Sequence, residues 1–228
     1  MNIMNGKCII VSAGDFTPVE INRKEDDYII ACDGGFAYLE QMGIMPDLIV
    51  GDFDSLPSMG MEAVRTLQEI MELDPERVIK LPKEKDDTDT LYAVRKALSL
   101  GFKKIYLYGA LGGNRVDHTL ANIQVLQFIK HHGATGYIMA HDQMMLIAEN
   151  EIIHFHKGMT GGLSVFSLTP VSEGVTITGT EYQVENVTIT SDFPIGVSNE
   201  FIIDEAATIG VKEGSLLICV RWDIEDSF

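Results

Sequence analysis

The sequence is organised around one stretch, Pro46-Asp47-Leu48-Ile49-Val50-Gly51-Asp52-Phe53-Asp54-Ser55. Its apolar centre predicts a buried β-strand, and a glycine with two alternating carboxylates, Asp52 and Asp54, follows where that strand ends. In an open α/β sheet, ligands bind beyond the carboxyl ends of the strands. Carboxylate oxygens suit Mg²⁺, which commonly shares its coordination shell with water and phosphate.

A second block, Lys85-Asp86-Asp87-Thr88-Asp89, places more carboxylates where a helix begins. Each block alone could be only a turn or a helix N-cap, because Asp, Ser and Thr side chains bond to nearby backbone groups. Two such blocks, together with a third carboxylate at Asp33 after another apolar run, favour a magnesium–phosphate centre instead.

The sequence up to about residue 133 alternates short apolar runs with helical patterns. Besides residues 48–50, the predicted strands are Cys8–Val11, Tyr28–Cys32, 77–82 and Lys104–Tyr108. The clearest helix starts at Thr88 and stops at Gly101. Another helix after residue 115 is expected to bury Val116, Leu120 and Ile123. This alternation predicts a parallel sheet flanked by helices.

Beyond about residue 140 the pattern changes to short β-rich runs separated by Gly, Pro and Asn. The predicted strands are 144–148, 152–156, 163–168, 175–178, 186–190, 207–211 and 216–220. They indicate a β-sandwich or a partly closed barrel. The chain is therefore predicted to be α/β, with an N-terminal Rossmann-like parallel-sheet domain (residues 1–142) and a C-terminal all-β domain (residues 143–228).

Composition excludes several classes of partner. Hydrophobic residues make up 46% of the chain, enough for a substantial core. The net charge of −17 opposes binding to nucleic acid or anionic lipid. Three unpaired cysteines favour a reducing cytosol, and no run approaches 18 apolar residues, so we expect a cytoplasmic protein without a membrane span.

The glycine-rich loop at residues 109–115 lacks the lysine of a P-loop, but its backbone N–H groups could hold phosphate. Arg115 could add a forked cation. On the following helix, Arg115, His118 and Asn122 share one face. The alternative for this loop is an ordinary connection between a strand and a helix.

The motifs taken together resemble the thiamine pyrophosphokinase (thiamin diphosphokinase) family, bacterial type. The resemblance spans nearly the whole chain. It is carried by Cys32-Asp33-Gly34-Gly35, residues 46–55, residues 85–89, the Gly-Asn-Arg-Val-Asp-His core within residues 109–122, Gly179-Thr180-Glu181-Tyr182, and Gly196-Val197-Ser198-Asn199-Glu200. Each motif alone is weak, whereas the ordered set is highly specific.

The resemblance implies an α/β catalytic domain followed by a β-sandwich, assembled as a homodimer. Members of the family transfer a diphosphate group from ATP to the hydroxyethyl oxygen of thiamine and release AMP. The resemblance places ATP and Mg²⁺ against Asp33, Gly34, Gly35, Asp52, Asp54, Asp86 and Asp89. It places thiamine near Ser198 and Asn199, at a site completed by the partner subunit.

Roles for single residues follow as hypotheses. We assign Asp52, Asp54, Asp86 and Asp89 to the metal, directly or through water. We assign Arg115 to phosphate charge, and Asp117 and Asn122 to orienting the loop or the nucleotide. The predicted catalytic residues are thus Asp54, Asp89, Arg115 and Asp117, and the proton acceptor stays open among Asp54, Asp89 and bulk water.

Two other functions remain possible at this level. One is a Mg²⁺-dependent nucleotide phosphohydrolase that uses the same carboxylates with water as acceptor. The other is a non-catalytic module that binds thiamine through the β-rich domain.

Overall fold

The computed structural model describes residues 4–16, 21–54, 60–84, 86–112 and 115–222. The chain divides into two compact units, Met1–His141 and Asp142–Phe228. The helices are α1 (Gly35–Gln41), α2 (Met61–Leu73), α3 (Asp89–Ser99) and α4 (Val116–His131), with a 3₁₀ turn at Pro75–Arg77. The strands are β1 (Cys8–Val11), β2 (Tyr28–Cys32), β3 (Leu48–Gly51), β4 (Val78–Lys80), β5 (Lys104–Tyr108), β6 (Thr135–Met139), β7 (Gln143–Glu149), β8 (Ile152–Phe155), β9 (Gly162–Ser167), β10 (Val171–Thr178), β11 (Val184–Thr190), β12 (Asn199–Glu200), β13 (Ala207–Gly210) and β14 (Ser215–Arg221).

The first unit contains parallel strands in the order β6-β5-β1-β2-β3-β4. The predicted parallel sheet is thus confirmed for the described strands. The chain starts in the middle at β1, proceeds outward through β2, β3 and β4, and then returns to the other side of β1 as β5. The direction of winding therefore reverses between β1 and β5.

Both faces of this sheet are covered, which explains why its strands are continuous apolar runs rather than alternating ones. Ile9, Ile29 and Ile49 pack in one buried cluster with side chains of α1 and α2. Ile10 and Ile30 point to the opposite face and are equally buried. Helix α3 contacts β1, β2 and β3.

Helix α4 corrects one prediction. Val116 and Leu120, expected in the core, are 70% and 59% exposed. The buried residues of this helix are Asn122, Val125, Leu126 and Ile129. They retain the spacing of a buried helical face, but that face includes a polar residue because the Asn122 amide donates to the carbonyl of Ala110 at 2.7 Å.

The second unit is built of antiparallel strands. One set has the order β12-β9-β14-β7, and the other has the order β11-β10-β13-β8. Alternate residues are buried, as in Leu163, Val165 and Ser167 of β9. This alternation is what half-buried antiparallel strands require. All seven predicted β-runs coincide with strands, whereas β6 and the two-residue β12 were not predicted.

No helix in the described part of the chain combines the length and the apolar character needed to cross a membrane.

Candidate active site

A cavity of about 420 Å³ opens at the carboxyl ends of β1 and β5 in the first unit. It is lined by Ser12, Ala13, Gly14, Cys32, Asp33, Asp52, Thr88, Asp89, Thr90, Gly109, Ala110, Leu111, Gly112, Arg115, His118 and Asn122. Its position is where the winding direction of the sheet reverses, and loops diverge there to leave a crevice. The volume is in the range of a small-molecule site.

Three carboxylates meet in this cavity: Asp33 after β2, Asp52 after β3, and Asp89 at the start of α3. The pKa of Asp33 is raised from 3.8 to about 7. Burial is the largest cause, followed by a side-chain hydrogen bond to Asp89, the negative charge of Asp89 and, more weakly, that of Asp52. The backbone N–H of Phe53 opposes the rise by donating to Asp33 Oδ1 at 3.2 Å. Burial and the two neighbouring carboxylates together therefore favour the protonated form of Asp33.

The local backbone is shaped to bring these carboxylates together. Asp33 adopts a left-handed conformation with φ of 45°, which turns the chain sharply at the end of β2. Gly51 provides the space for this side chain, since a Cβ at Gly51 would collide with the Asp33 carboxylate. Asp52 Oδ1 accepts a hydrogen bond from the N–H of Asp54 at 3.0 Å, which forms a local turn.

Hydroxyl groups fix the start of α3. Thr88 is its N-cap, with Oγ1 accepting from the N–H of Leu91 at 3.2 Å. Thr90 Oγ1 and Ser12 Oγ lie 2.8 Å apart and are buried. The thiol of Cys32 donates to the backbone oxygen of Asp89 at 3.6 Å.

Arg115 supplies a guanidinium to the cavity lining, and it forms a forked ion pair with Asp117. Nε lies 2.9 Å from Oδ1, and Nη2 lies 2.6 Å from Oδ2. The hydrogen bond from Arg115 lowers the pKa of Asp117 to about 2. Both side chains are exposed, so the guanidinium can exchange this partner for a phosphate. His118 and the buried Asn122 line the cavity on the same helix.

The remaining predicted residues of the first unit lie outside the lining. Asp54 is exposed and pairs with Lys83 at 3.4 Å, and Asp86 is exposed. Gly34 is the N-cap of α1. Gly35 packs tightly against β1, because a Cβ there would collide with the carbonyl of Val11. Ser55 and Lys85 of the quoted motifs, and Gly113 and Asn114 of the glycine-rich loop, lie outside the described residues.

In the second unit, Ser198 and Asn199 have different environments. Ser198 is exposed and left-handed, with φ of 63°. Asn199 is buried, and its amide makes four hydrogen bonds. Oδ1 accepts from the N–H groups of Tyr182 and Glu200, while Nδ2 donates to Thr180 Oγ1 and the Tyr182 carbonyl. The amide is saturated by protein groups.

Sequence reasoning did not identify Ser12, Thr90, Thr88 or the Cys32 side chain as parts of the site. Thr88 and Cys32 both lie within quoted motifs, and Thr88 had a readable signal as an N-cap, but neither side chain was given a role in the site. Ser12 and Thr90 carried no distinguishing signal, because hydroxyl residues at the ends of strands and in the first turns of helices are common.

Comparison with protein families assigns both parts of the chain. Residues 21–138 match the catalytic domain of thiamin pyrophosphokinase, and residues 150–216 match its vitamin B1 binding domain. No curated protein sequence matches the chain significantly.

Solved structures resemble the whole chain. Thiamine pyrophosphokinase from Bacillus subtilis is 25% identical, with a TM-score of 0.83 over 96% of this chain and 100% of that chain. A thiamin pyrophosphokinase family protein from Enterococcus faecalis is 28% identical, with a TM-score of 0.78 over 96% of this chain and 100% of that chain. Yeast thiamin pyrophosphokinase, at 15% identity, shares the fold, with a TM-score of 0.72 over 97% of this chain and 87% of that chain. The chain belongs to the thiamin pyrophosphokinase family.

Proposed function

We propose that this chain is a thiamine diphosphokinase, which transfers the diphosphate group of ATP to the hydroxyethyl oxygen of thiamine. In the reaction that oxygen attacks the β-phosphorus, the bond from the β-phosphorus to the α-phosphate oxygen breaks, and AMP leaves. Besides family membership, the observation that carries the proposal is the cavity at the sheet's switch point, lined by three carboxylates and a guanidinium. The comparisons favour neither the phosphohydrolase nor the binding module.

The residues present fit a magnesium ion. Asp52 and Asp89 offer oxygen donors inside the cavity, and after burial their interactions are the further causes that raise the pKa of Asp33. Among the described residues, no three His, Cys, Asp or Glu side chains form a ready-made metal cage. Mg²⁺ does not need one, since it is usually held by one or two carboxylates together with water and substrate phosphates. Asp54 and Asp86, which lie outside the lining, would act through water.

The chain's own groups would mainly bind and orient the substrates. Bound Mg²⁺ would neutralise the charge that develops on the phosphoryl and leaving oxygens. Arg115 would contact phosphate oxygens with its fork, while Asp117 holds the free guanidinium in place. Asn122 fixes the loop after β5 through the Ala110 carbonyl. The acceptor for the alcohol proton is Asp54, Asp89 or bulk water.

The finer features are part of the same proposal. We infer a Rossmann-like first domain, supported by the reversal of winding at β1 and β5, and a β-sandwich second domain, supported by its two antiparallel sets. Thiamine binding is assigned to the second domain, with Ser198 as a direct contact. A cytoplasmic homodimer is supported by the free cysteines and by exposed apolar side chains such as Phe193 and Ile203.

Mass spectrometry of products tests the proposal directly. With ATP, Mg²⁺ and thiamine, the protein should form equal amounts of thiamine diphosphate and AMP. With thiamine omitted, AMP should not accumulate. Consumption of ATP without thiamine would favour a phosphohydrolase. Calorimetric binding of thiamine with no AMP under any metal would favour a binding module.

A further inference from the structure

We propose that Ser12 and Thr90, together with Cys32, are positioning residues that fix the direction of the Asp89 carboxylate. The kinetic part of this proposal rests on the proposed function. None of the three is assigned to contact a substrate. They line the cavity, and their side chains act on the backbone that carries Asp89.

The central contact joins two distant parts of the chain. Ser12 directly follows β1, and Thr90 lies in the first turn of α3, 78 residues later. Their hydroxyl oxygens are 2.8 Å apart, and the two residues are only 5% and 7% exposed. The hydrogen bond therefore fastens the start of α3 to the end of the central strand.

A second contact holds Asp89 itself. The Cys32 thiol, at the end of β2, donates to the Asp89 carbonyl, and the Ser12 side chain also hydrogen-bonds to Cys32. Thr88, on the other side of Asp89, caps the helix. The backbone of Asp89 is thus held at its own carbonyl and at both neighbours. Its side chain is hydrogen-bonded to Asp33, so the position of this backbone sets where the two carboxyl groups meet.

The chemistry of the pair separates positioning from stability. Removing one hydroxyl leaves the other buried without its partner, which is costly. Replacing both by apolar groups of similar shape can be nearly neutral, because no polar group is then left unsatisfied. If the pair served only the core, two apolar side chains would serve as well. If it directs Asp89, they would not.

A double-mutant cycle of Ser12→Ala, Thr90→Val and both together tests this difference. We expect each single variant to lower the melting temperature by several degrees and the double variant to recover part of that loss. We expect kcat to fall about 10-fold in each single variant and to stay low in the double variant, since small misplacements of catalytic groups are costly. Thr90→Ser, which keeps the hydroxyl, should restore most of the kcat lost by Thr90→Val.

A matched control exists in the second unit, where Thr178 and Thr208 form the same kind of hydroxyl pair at 2.7 Å. Thr178→Val should leave kcat unchanged. Calorimetry with Mg²⁺ and a non-hydrolysable ATP analogue gives a readout that does not need turnover, and we expect about 10-fold weaker binding by the double variant.

A double variant with wild-type kcat and wild-type affinity for the analogue would overturn the inference. If the wild-type protein makes no thiamine diphosphate, the proposed function fails. The calorimetric comparison still decides the positioning role in that case.

Discussion

Asn199 offers the sharpest test of the structure, because two views of it predict different outcomes. Family resemblance assigns it to thiamine, whereas the structure uses its whole amide to hold other protein groups. The change to test is Asn199→Ala. It would remove four hydrogen bonds of 2.8–3.1 Å from a side chain that is only 7% exposed.

The cost can be worked out from what is left unpaired. Each intramolecular hydrogen bond contributes about 0.5–1.5 kcal/mol net. Tyr182 and Glu200 are exposed, so water can replace part of the hydrogen bonding that they lose. Thr180 is fully buried, so its lost hydrogen bond is not replaced by water. We therefore expect a loss of about 2–3 kcal/mol in the free energy of unfolding, which is roughly 5–10 °C in melting temperature for a chain of this size.

The assay is thermal and urea unfolding of the ligand-free protein, with Ser198→Ala as the matched control. Ser198 is next in the chain and exposed, and its hydroxyl makes no hydrogen bond to the described residues, so its removal should change stability by less than about 0.5 kcal/mol. Unchanged melting of Asn199→Ala with a large rise in the KM for thiamine would refute the reasoning. The amide would then be reserved for the ligand.

Three further outcomes are expected. Asp89→Asn should reduce kcat about 100-fold or more and raise the Mg²⁺ concentration required for activity. Asp54→Asn should reduce kcat less, because Asp54 lies outside the cavity. Equal losses of kcat for the two variants across a magnesium titration would contradict this ranking. Arg115→Ala should raise the KM for ATP about 10-fold and leave that for thiamine within 2-fold, and an isolated rise for thiamine would exclude the phosphate role. In EDTA, stability should fall as pH rises from about 4 to above 7, because native Asp33 has its pKa raised to about 7 and binds its proton more tightly than the unfolded chain. Since Asp33 is only half-buried, the loss in the free energy of unfolding should be about 1–2 kcal/mol. Urea unfolding midpoints at pH 5.5 and pH 8 should show this loss in the wild-type protein and a smaller loss in Asp33→Asn.

Much of the cavity could be predicted from the sequence because parallel strands end at one edge of a sheet. Asp33 and Asp52 follow adjacent strands, and Asp89 opens the helix after the next strand. Apolar runs of four or five residues followed directly by Asp therefore located Asp33 and Asp52, and the helix-start block at residues 85–89 located Asp89, without any side-chain geometry. Asp54 shows the limit of this reasoning. Asp54, the third residue after the end of β3, already turns outward and pairs with Lys83.

The contacts that could not be predicted are those between distant hydroxyl and amide groups. Nothing local distinguishes Ser12 from other polar residues after strands, since its partner Thr90 is brought near only by the completed sheet. The prediction of the buried face of α4 failed at Asn122 for the same reason. It occupies a buried position through its bond to Ala110, and the apolar Val116 and Leu120 lie on the exposed side.

The charges in the cavity set the condition under which this acidic chain would accept the ATP of the proposed function. Among the described residues of the lining, three carboxylates stand against a single guanidinium, which is itself paired with Asp117. A free triphosphate would meet net repulsion there, and the charges of Asp89 and Asp52 already add to the effect of burial in raising the pKa of Asp33. The divalent cation of the proposed function would reverse the sign of the interaction, because the same carboxylates would then hold the ion that binds the phosphates. Under the proposed function, nucleotide affinity and metal affinity would therefore be one linked quantity in this site, and the groups that we propose to position Asp89 would influence both.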